Sequence, residues 1–173
     1  LTCHSCRFGL QSGHDRRQME QRVKGWLSAE VNCTVAGCWF QGREVPVKVD
    51  ELLRRYQAGE RDFVLLSLRR SELSGIDLYH INLSGSDLRG SDLSQANLIG
   101  ARLRRSDLSW ANLYGANLSG ADLGSCDLRA ADLREANLQH ANLEHAKVTP
   151  EQLAEAADLD GAILPDGETR ESS

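Results

Sequence analysis

A large apolar residue recurs at every fifth position from Phe63 to Val148, eighteen times without a slip: Phe63, Leu68, Leu73 and so on through Leu143 to Val148. No ordinary element buries such a set. On an α-helix five residues advance about 500°, so successive leucines step round the cylinder by about 140° and make no stripe. On a flat strand five is odd, so they alternate between faces. The pattern closes only if the chain bends after every pentad, turning each leucine toward a common interior. Two residues before most leucines stands a small residue, such as Ser86, Ser91, Ala96, Ala111 or Ala136. It lies on the leucine's side of an extended segment. Each pentad thus sends one large and one small side chain inward and three outward. Gly75, Gly85, Gly90, Gly100, Gly115 and Gly120 follow their leucines by two, at a corner suited to positive φ. Stacked coils then pair like parallel strands, rising about 4.8 Å per coil.

The pentads Ala-Asn-Leu-Tyr-Gly from Ala111, Ala-Asn-Leu-Ser-Gly from Ala116, Ala-Asp-Leu-Gly-Ser from Ala121 and Ala-Asn-Leu-Gln-His from Ala136 resemble the A(D/N)LXX motif of pentapeptide-repeat proteins. The resemblance covers about half the chain. It implies an all-β fold, a right-handed quadrilateral parallel β-helix with four pentads per coil. The eighteen pentads would make about four and a half coils, a rod on the order of 20 Å long. A disordered low-complexity tract is a poor alternative, because a regular apolar repeat has a core to bury.

The ends of such a rod are raw strand edges that invite polymerisation unless covered. At the entrance, Asp50 is suited to cap a helix over 51–56, with Gly59 as its stop and Leu52, Leu53 and Tyr56 on the apolar face. At the exit, Thr149, Pro150 and Gln152 read as N-cap, N1 proline and capping-box partner. Leu153 and Ala156 or Ala157 would face the last coil, residues 159–164 would cross the end, and the acidic tail would fray. The expected organisation is a cysteine-rich module over 1–49, a capping helix over 50–60, the repeat over 61–150, and a second cap with its tail over 151–173. This predicts a capped monomer.

The cysteine-rich module does not follow the repeat. Cys3 and Cys6 are separated by two residues, Cys33 and Cys38 by four, and the pairs by 26. Two close pairs on a chain long enough to fold back suit four thiolates on one structural zinc ion. Disulfides and unligated thiols stay open as readings, and His4 and His14 as substitute ligands. Residues 15–26 read as an amphipathic helix and 45–49 as part of a short hairpin, giving the module an α/β character. With so small a core, metal support is physically reasonable. Cys126, at an inward small-residue position, reads as core.

Residues twenty apart would stack in columns on the outer surface. One column holds Arg69, Arg89, Ser109 and Arg129, with Trp110 beside Ser109; its neighbour holds Ser67, Asp87, Asp107 and Asp127. One reading is an Arg ladder relieving an Asp ladder, worth little per exposed pair. The other is a recognition face in which Trp110, Tyr114, Arg69, Arg89 and Arg129, with Arg104 and Arg105 round the corner, grip another protein. Tyr79, with His80 beside it, marks a second patch.

No catalytic constellation stands out, since the serines and aspartates are explained by the repeat and its glycines all fall in register. A non-enzymatic protein-binding scaffold is therefore expected. The chain has a net charge of −5, yet residues 61–150 carry ten basic against eleven acidic residues. That near-neutral rod weakens the alternative that family resemblance raises, a DNA mimic acting on a type II topoisomerase. Nucleic-acid binding through the cysteine module is disfavoured too, because residues 1–60 hold nine basic and seven acidic residues. There is no apolar run long enough to span a membrane and no signal-peptide pattern. A cytoplasmic setting is expected, although a chain opening on Leu1 rather than Met gives that absence little weight. Residues 52–63 look like the lead-in to repeats in cyanobacterial proteins.

Overall fold

The computed structural model describes residues 45–46 and 49–170. The cysteine pairs Cys3/Cys6 and Cys33/Cys38 and the helix expected over 15–26 lie outside the described residues.

From Asp62 to Lys147, parallel bridges join each residue preceding a leucine to the residue twenty positions on: Asp62 to Asn82, Ser67 to Asp87, Glu72 to Asp92, Asp77 to Asn97, and onward to Asp127 with Lys147. One coil thus consumes twenty residues, and the bridges fall into four columns. Each pentad supplies a single bridged residue because a turn follows at once. The Ser71 amide donates to Leu68 O at 3.2 Å, Ile81 to Leu78 O at 3.1 Å, and Ala111 to Leu108 O at 3.0 Å. Every second residue after a leucine, from 65 to 145, has positive φ, including the six expected glycines and eleven residues that are not glycine. This is the sign pattern of a type II turn.

The leucines from Leu68 to Leu143 are buried, as are the inward alanines and Cys126. Inward serines return their hydroxyls to the backbone: Ser91 Oγ donates to Leu88 O at 2.7 Å and Ser106 Oγ to Leu103 O at 2.6 Å. Left unpaired, each would cost roughly 1–3 kcal/mol. The Cys126 thiol donates to Leu103 O at 2.6 Å, and burial pushes it up to about 11, which keeps it an inert core thiol. The Asp or Asn before each leucine has a structural task. Its Oδ1 accepts the backbone amide two residues on, at 3.2 Å for Tyr79 on Asp77, 3.1 Å for Ser119 on Asn117 and 2.9 Å for Gln139 on Asn137. These Asx turns satisfy the donor at the corner.

Both ends differ from the sequence expectation. At the entrance, strand β1 (Val45–Pro46) pairs in parallel with β2 (Leu66–Ser67), so the rod begins before residue 49. Helix α1 (Val49–Gln57) follows, closed by Gly59 at φ 97°. The amides of Gly59 and Glu60 donate to Tyr56 O and Arg55 O, a Schellman stop. Leu52 is buried, and Leu53 and Tyr56 pack against the core. At the far end, α2 (Pro150–Ala154) has the Thr149/Gln152 capping box. The Gln152 side-chain Nε2 also donates to Leu128 O and Ala131 O, at 2.9 and 2.8 Å. A side chain there replaces the strand that the last coil lacks.

The repeat does not stop at 150. After α2 the coil resumes with one extra residue: the Ala157 amide donates to Ala136 O while Asp158 O accepts from Leu138. Asn137 then pairs with Asp158 and Asn142 with Ile163, a register of 21 that marks a bulge. Leu159 and Ala162 return to the core. The tail does not fray at once either. Thr169 pairs antiparallel with Ile163, and Arg170 exchanges backbone bonds with Gly161 and Ala162, covering the final edge.

Candidate functional site

The Asp ladder and its arginines occupy one bridge column, Ser67–Asp87–Asp107–Asp127–Lys147. Because side chains two residues apart point the same way on an extended segment, an arginine two beyond an aspartate lies over its carboxylate. Arg89 grips Asp87 through Nε, at 2.8 Å, and through Nη2. Arg69 Nε adds a contact to the same carboxylate at 3.6 Å. Arg129 grips Asp127 through Nε and Nη2 at 2.8 and 2.7 Å, and Lys147 Nζ lies 3.4 Å away. Arg134 repeats this fork on Asp132 at 2.9 and 2.7 Å. The Arg129 hydrogen bonds hold the Asp127 carboxyl down at about 2 against the opposing effect of burial. Arg89 and Arg134 likewise hold Asp87 and Asp132 below the usual range.

Asp107 is different, because Ser109 stands where its arginine would be. Asp107 Oδ1 accepts the Ser109 amide at 3.0 Å and hydroxyl at 2.7 Å. Its Oδ2 lies 3.6 Å from Arg89 Nε. The Asp107 side chain is 38% exposed, against 7% for Asp87 and 12% for Asp127.

Trp110 occupies the next corner, with φ 62° and 74% of its surface exposed. The corner residues one coil away on either side are Gly90 and Ala130. At other corners a long side chain lies against the glycine one coil on, so that an added Cβ at Gly100 would meet the His80 ring at 2.4 Å and one at Gly115 the Gln95 amide at 2.0 Å. Ala130 already carries a Cβ at the corresponding place. Tyr114 is exposed, with the Arg134 guanidinium 5.8 Å from its ring.

The other expected contact residues disperse. Arg104 turns to Asp122 at 3.4 Å, across Gly124 in a different column. Arg105 sits on a left-handed corner at φ 58°. Tyr79 lies edge-on to His80 at 4.0 Å, and its carbonyl accepts the Tyr56 hydroxyl at 3.0 Å, which ties that patch to α1. The structure therefore gathers Arg69, Arg89 and Arg129 on the Asp column beside Trp110, and leaves Arg104 and Tyr79 elsewhere. Sequence reasoning passed over Arg134 and the exposure of Asp107; the signal was Ser109 interrupting an otherwise regular Asp-Leu-Arg series. Among the described residues, no helix is long and apolar enough to cross a membrane, and no His/Cys/Asp/Glu group is arranged to hold a metal ion.

A model of pentapeptide repeats matches residues 71–109 and 111–149, in eight copies. A pentapeptide repeat protein of the cyanobacterium Nostoc is 41% identical, with 60% of this chain and 82% of that one covered at a TM-score of 0.47. The chain belongs to the pentapeptide-repeat family. Members of this family form right-handed β-helices, and no catalytic family is indicated. A pentapeptide repeat protein from the Arabidopsis thaliana thylakoid lumen is 26% identical, covering 62% of this chain and 72% of its own at a TM-score of 0.44. Nostoc HetL, a pentapeptide repeat protein involved in heterocyst differentiation regulation, is 35% identical over 63% of this chain and 51% of its own, at a TM-score of 0.33. Among the curated proteins, none matches.

Proposed function

We propose that this pentapeptide-repeat chain is a non-enzymatic scaffold that binds another protein. Its quadrilateral rod, of about four and a half coils over the eighteen pentads alone, holds side chains on a fixed lattice for the partner to read. The twenty-residue register of the bridges supports the four-sided shape. One observation carries the binding role: Trp110 is held outward on a rigid corner, 74% exposed, on a rod whose own leucines fill its interior. Among the described residues Leu65, Val64, Tyr79 and Tyr114 are exposed as well, but Trp110 is the largest and most exposed of them, and tryptophan is the kind of residue that dominates protein interfaces. Tyr114, Arg134 and Arg105, with the ion-paired Arg69, Arg89 and Arg129, supply the polar surround. The serines and aspartates of the repeat are committed to turns and ladders, which leaves them no part in a reaction.

A DNA-mimic role toward a type II topoisomerase is less well supported. Arginines clamp the Asp87 and Asp127 carboxylates, so the rod presents no uninterrupted acidic track. The four cysteines Cys3, Cys6, Cys33 and Cys38 are proposed, on their spacing, to hold one structural zinc.

Trp110→Ala tests the scaffold reading. With the tagged full chain as bait in extract of the source cell, quantitative capture of the most enriched protein should fall at least about tenfold, as for an interface hot spot. The thermal midpoint should stay put, since the indole supports nothing in the rod. Capture unchanged by the substitution overturns the reading.

A further inference from the structure

Two positions three residues apart on one coil, Asp107 and the corner residue Trp110, call for the same chemical group. The first is the Asp107 carboxylate. Among the described residues, the three aspartates with an arginine two residues on, Asp87, Asp127 and Asp132, are each gripped by both Nε and Nη2 of that arginine, whereas Asp92, like Asp107, is served by a serine. At Asp107 the fork is missing, because Ser109 is too short to supply it. The second is the Trp110 ring. Elsewhere in the described rod, Tyr56 has Arg61 over it at 3.9 Å, Phe63 has Arg55 at 5.1 Å, Tyr114 has Arg134 at 5.8 Å, and Tyr79 has the His80 ring. Among the described residues, neither a guanidinium nor a ring lies against Trp110.

We propose that this rung receives one arginine side chain from the partner protein, its guanidinium forked on Asp107 and its plane or stem against the Trp110 indole. The inference rests on the scaffold reading above and specifies the chemistry its partner presents. A guanidinium fits better than an ammonium: the site's own counterparts are planar two-point forks, and an arginine also stacks on aromatic faces. The column's carboxylates are matched by Arg69, Arg89, Arg129 and Lys147, so the choice of Asp107 is made by local geometry and not by net charge. Asp107 stands in a column between Asp87 and Asp127, each of which has its own fork, so Asp107 is the carboxylate of the three left without one. Arg89 and Arg129 do not bar entry. Arg69 and Arg89 already share Asp87 from successive coils, and the incoming group would share Asp107 with Arg89 in the same way. Ser109, itself buried, becomes the floor on which the stem rests.

The test uses the full chain and a probe of defined chemistry: the peptide acetyl-Gly-Arg-Gly-amide against its citrulline counterpart, which keeps the shape and loses the charge. The readouts are the Ser109 backbone amide and the Trp110 indole N–H in NMR titrations. The arginine peptide should give saturable shifts at both, and citrulline should bind about tenfold more weakly, having lost the charge-assisted fork. Ser109→Arg, which completes the ladder from within, should abolish the shifts with the fold intact, and Asp107→Asn should do so by removing the acceptor. Equal binding of the two peptides, or undiminished binding by Ser109→Arg, overturns the inference. If the arginine peptide fails while Trp110→Ala still abolishes partner capture, the guanidinium proposal falls and the scaffold reading stands. If the peptide binds as described but capture ignores Trp110, the arginine site stands and the scaffold reading falls.

Discussion

Replacing Gly120 by Ala isolates the bend on which the fold depends. Gly120 has φ +64°, and a Cβ built there meets nothing within 4 Å, so the substitution adds backbone strain without a clash. A left-handed conformation costs an L-residue about 1–2 kcal/mol, and the stiffer unfolded chain returns about 0.4–1. The net expectation is a loss of about 1 kcal/mol. Gly115→Ala has nearly the same φ, +63°, but its Cβ falls 2.0 Å from Gln95 Nε2 and 2.9 Å from Gln95 Cδ. Displacing that side chain from its rotamer adds roughly 0.5–1.5 kcal/mol. The reverse change, Ala130→Gly at φ 57°, relieves strain and should stabilise by roughly 0.5–1 kcal/mol. Thermal unfolding followed by circular dichroism should order the proteins as Ala130→Gly, wild type, Gly120→Ala, Gly115→Ala. Midpoints should move about 2–4 °C per kcal/mol for a chain of this size. A neutral or stabilising Gly120→Ala, or a destabilising Ala130→Gly, would refute the claim that each corner demands a left-handed residue.

Acid should weaken the rod through the Asp forks. Asp127 titrates at about 2 in the folded chain and near 3.9 when unfolded, so its contribution is present above about pH 4 and lost as pH falls toward 2. In Asp127→Asn the fall in thermal midpoint between about pH 4 and 2 should be shallower than in wild type; parallel curves would contradict this. At the other end of the chain, elemental analysis of protein purified without added metal should find one zinc per chain, removed by a strong chelator with loss of thiol protection. Zinc-free protein with the four thiols fully reactive would exclude the site.

The docking surface was only partly legible beforehand. Stacking residues twenty apart placed Arg69, Arg89 and Arg129 in a column beside the Asp residues, because a periodic chain carries its own spatial coordinates. The sequence marks which carboxylate is left over, with Ser109 where Asp87 and Asp127 have an arginine two residues on, but column spacing alone does not say what that exchange does. The contrast between Asp107 and its neighbours arises from side-chain reach: an arginine two residues on can fold back onto a carboxylate, and a serine cannot. Arg104 shows the same limit. It was grouped with Arg105, yet it crosses Gly124 to Asp122 because that glycine leaves the path open.

The repeat by itself determined the interior, the corners and the surface columns, since every pentad states the same local rule and a rule repeated eighteen times admits one arrangement. The ends break the count of five and were decided in three dimensions. Val45–Pro46 joins the rod because the first coil has an open edge to pair with. Gln152 reaches two carbonyls that no strand serves, and the coil resumes through a bulge at Ala157 and Asp158 because the leucine and alanine beyond α2 still had a core to enter. Local periodicity encodes what repeats. The free edges of backbone left at each end are satisfied only by whatever part of the chain can reach them.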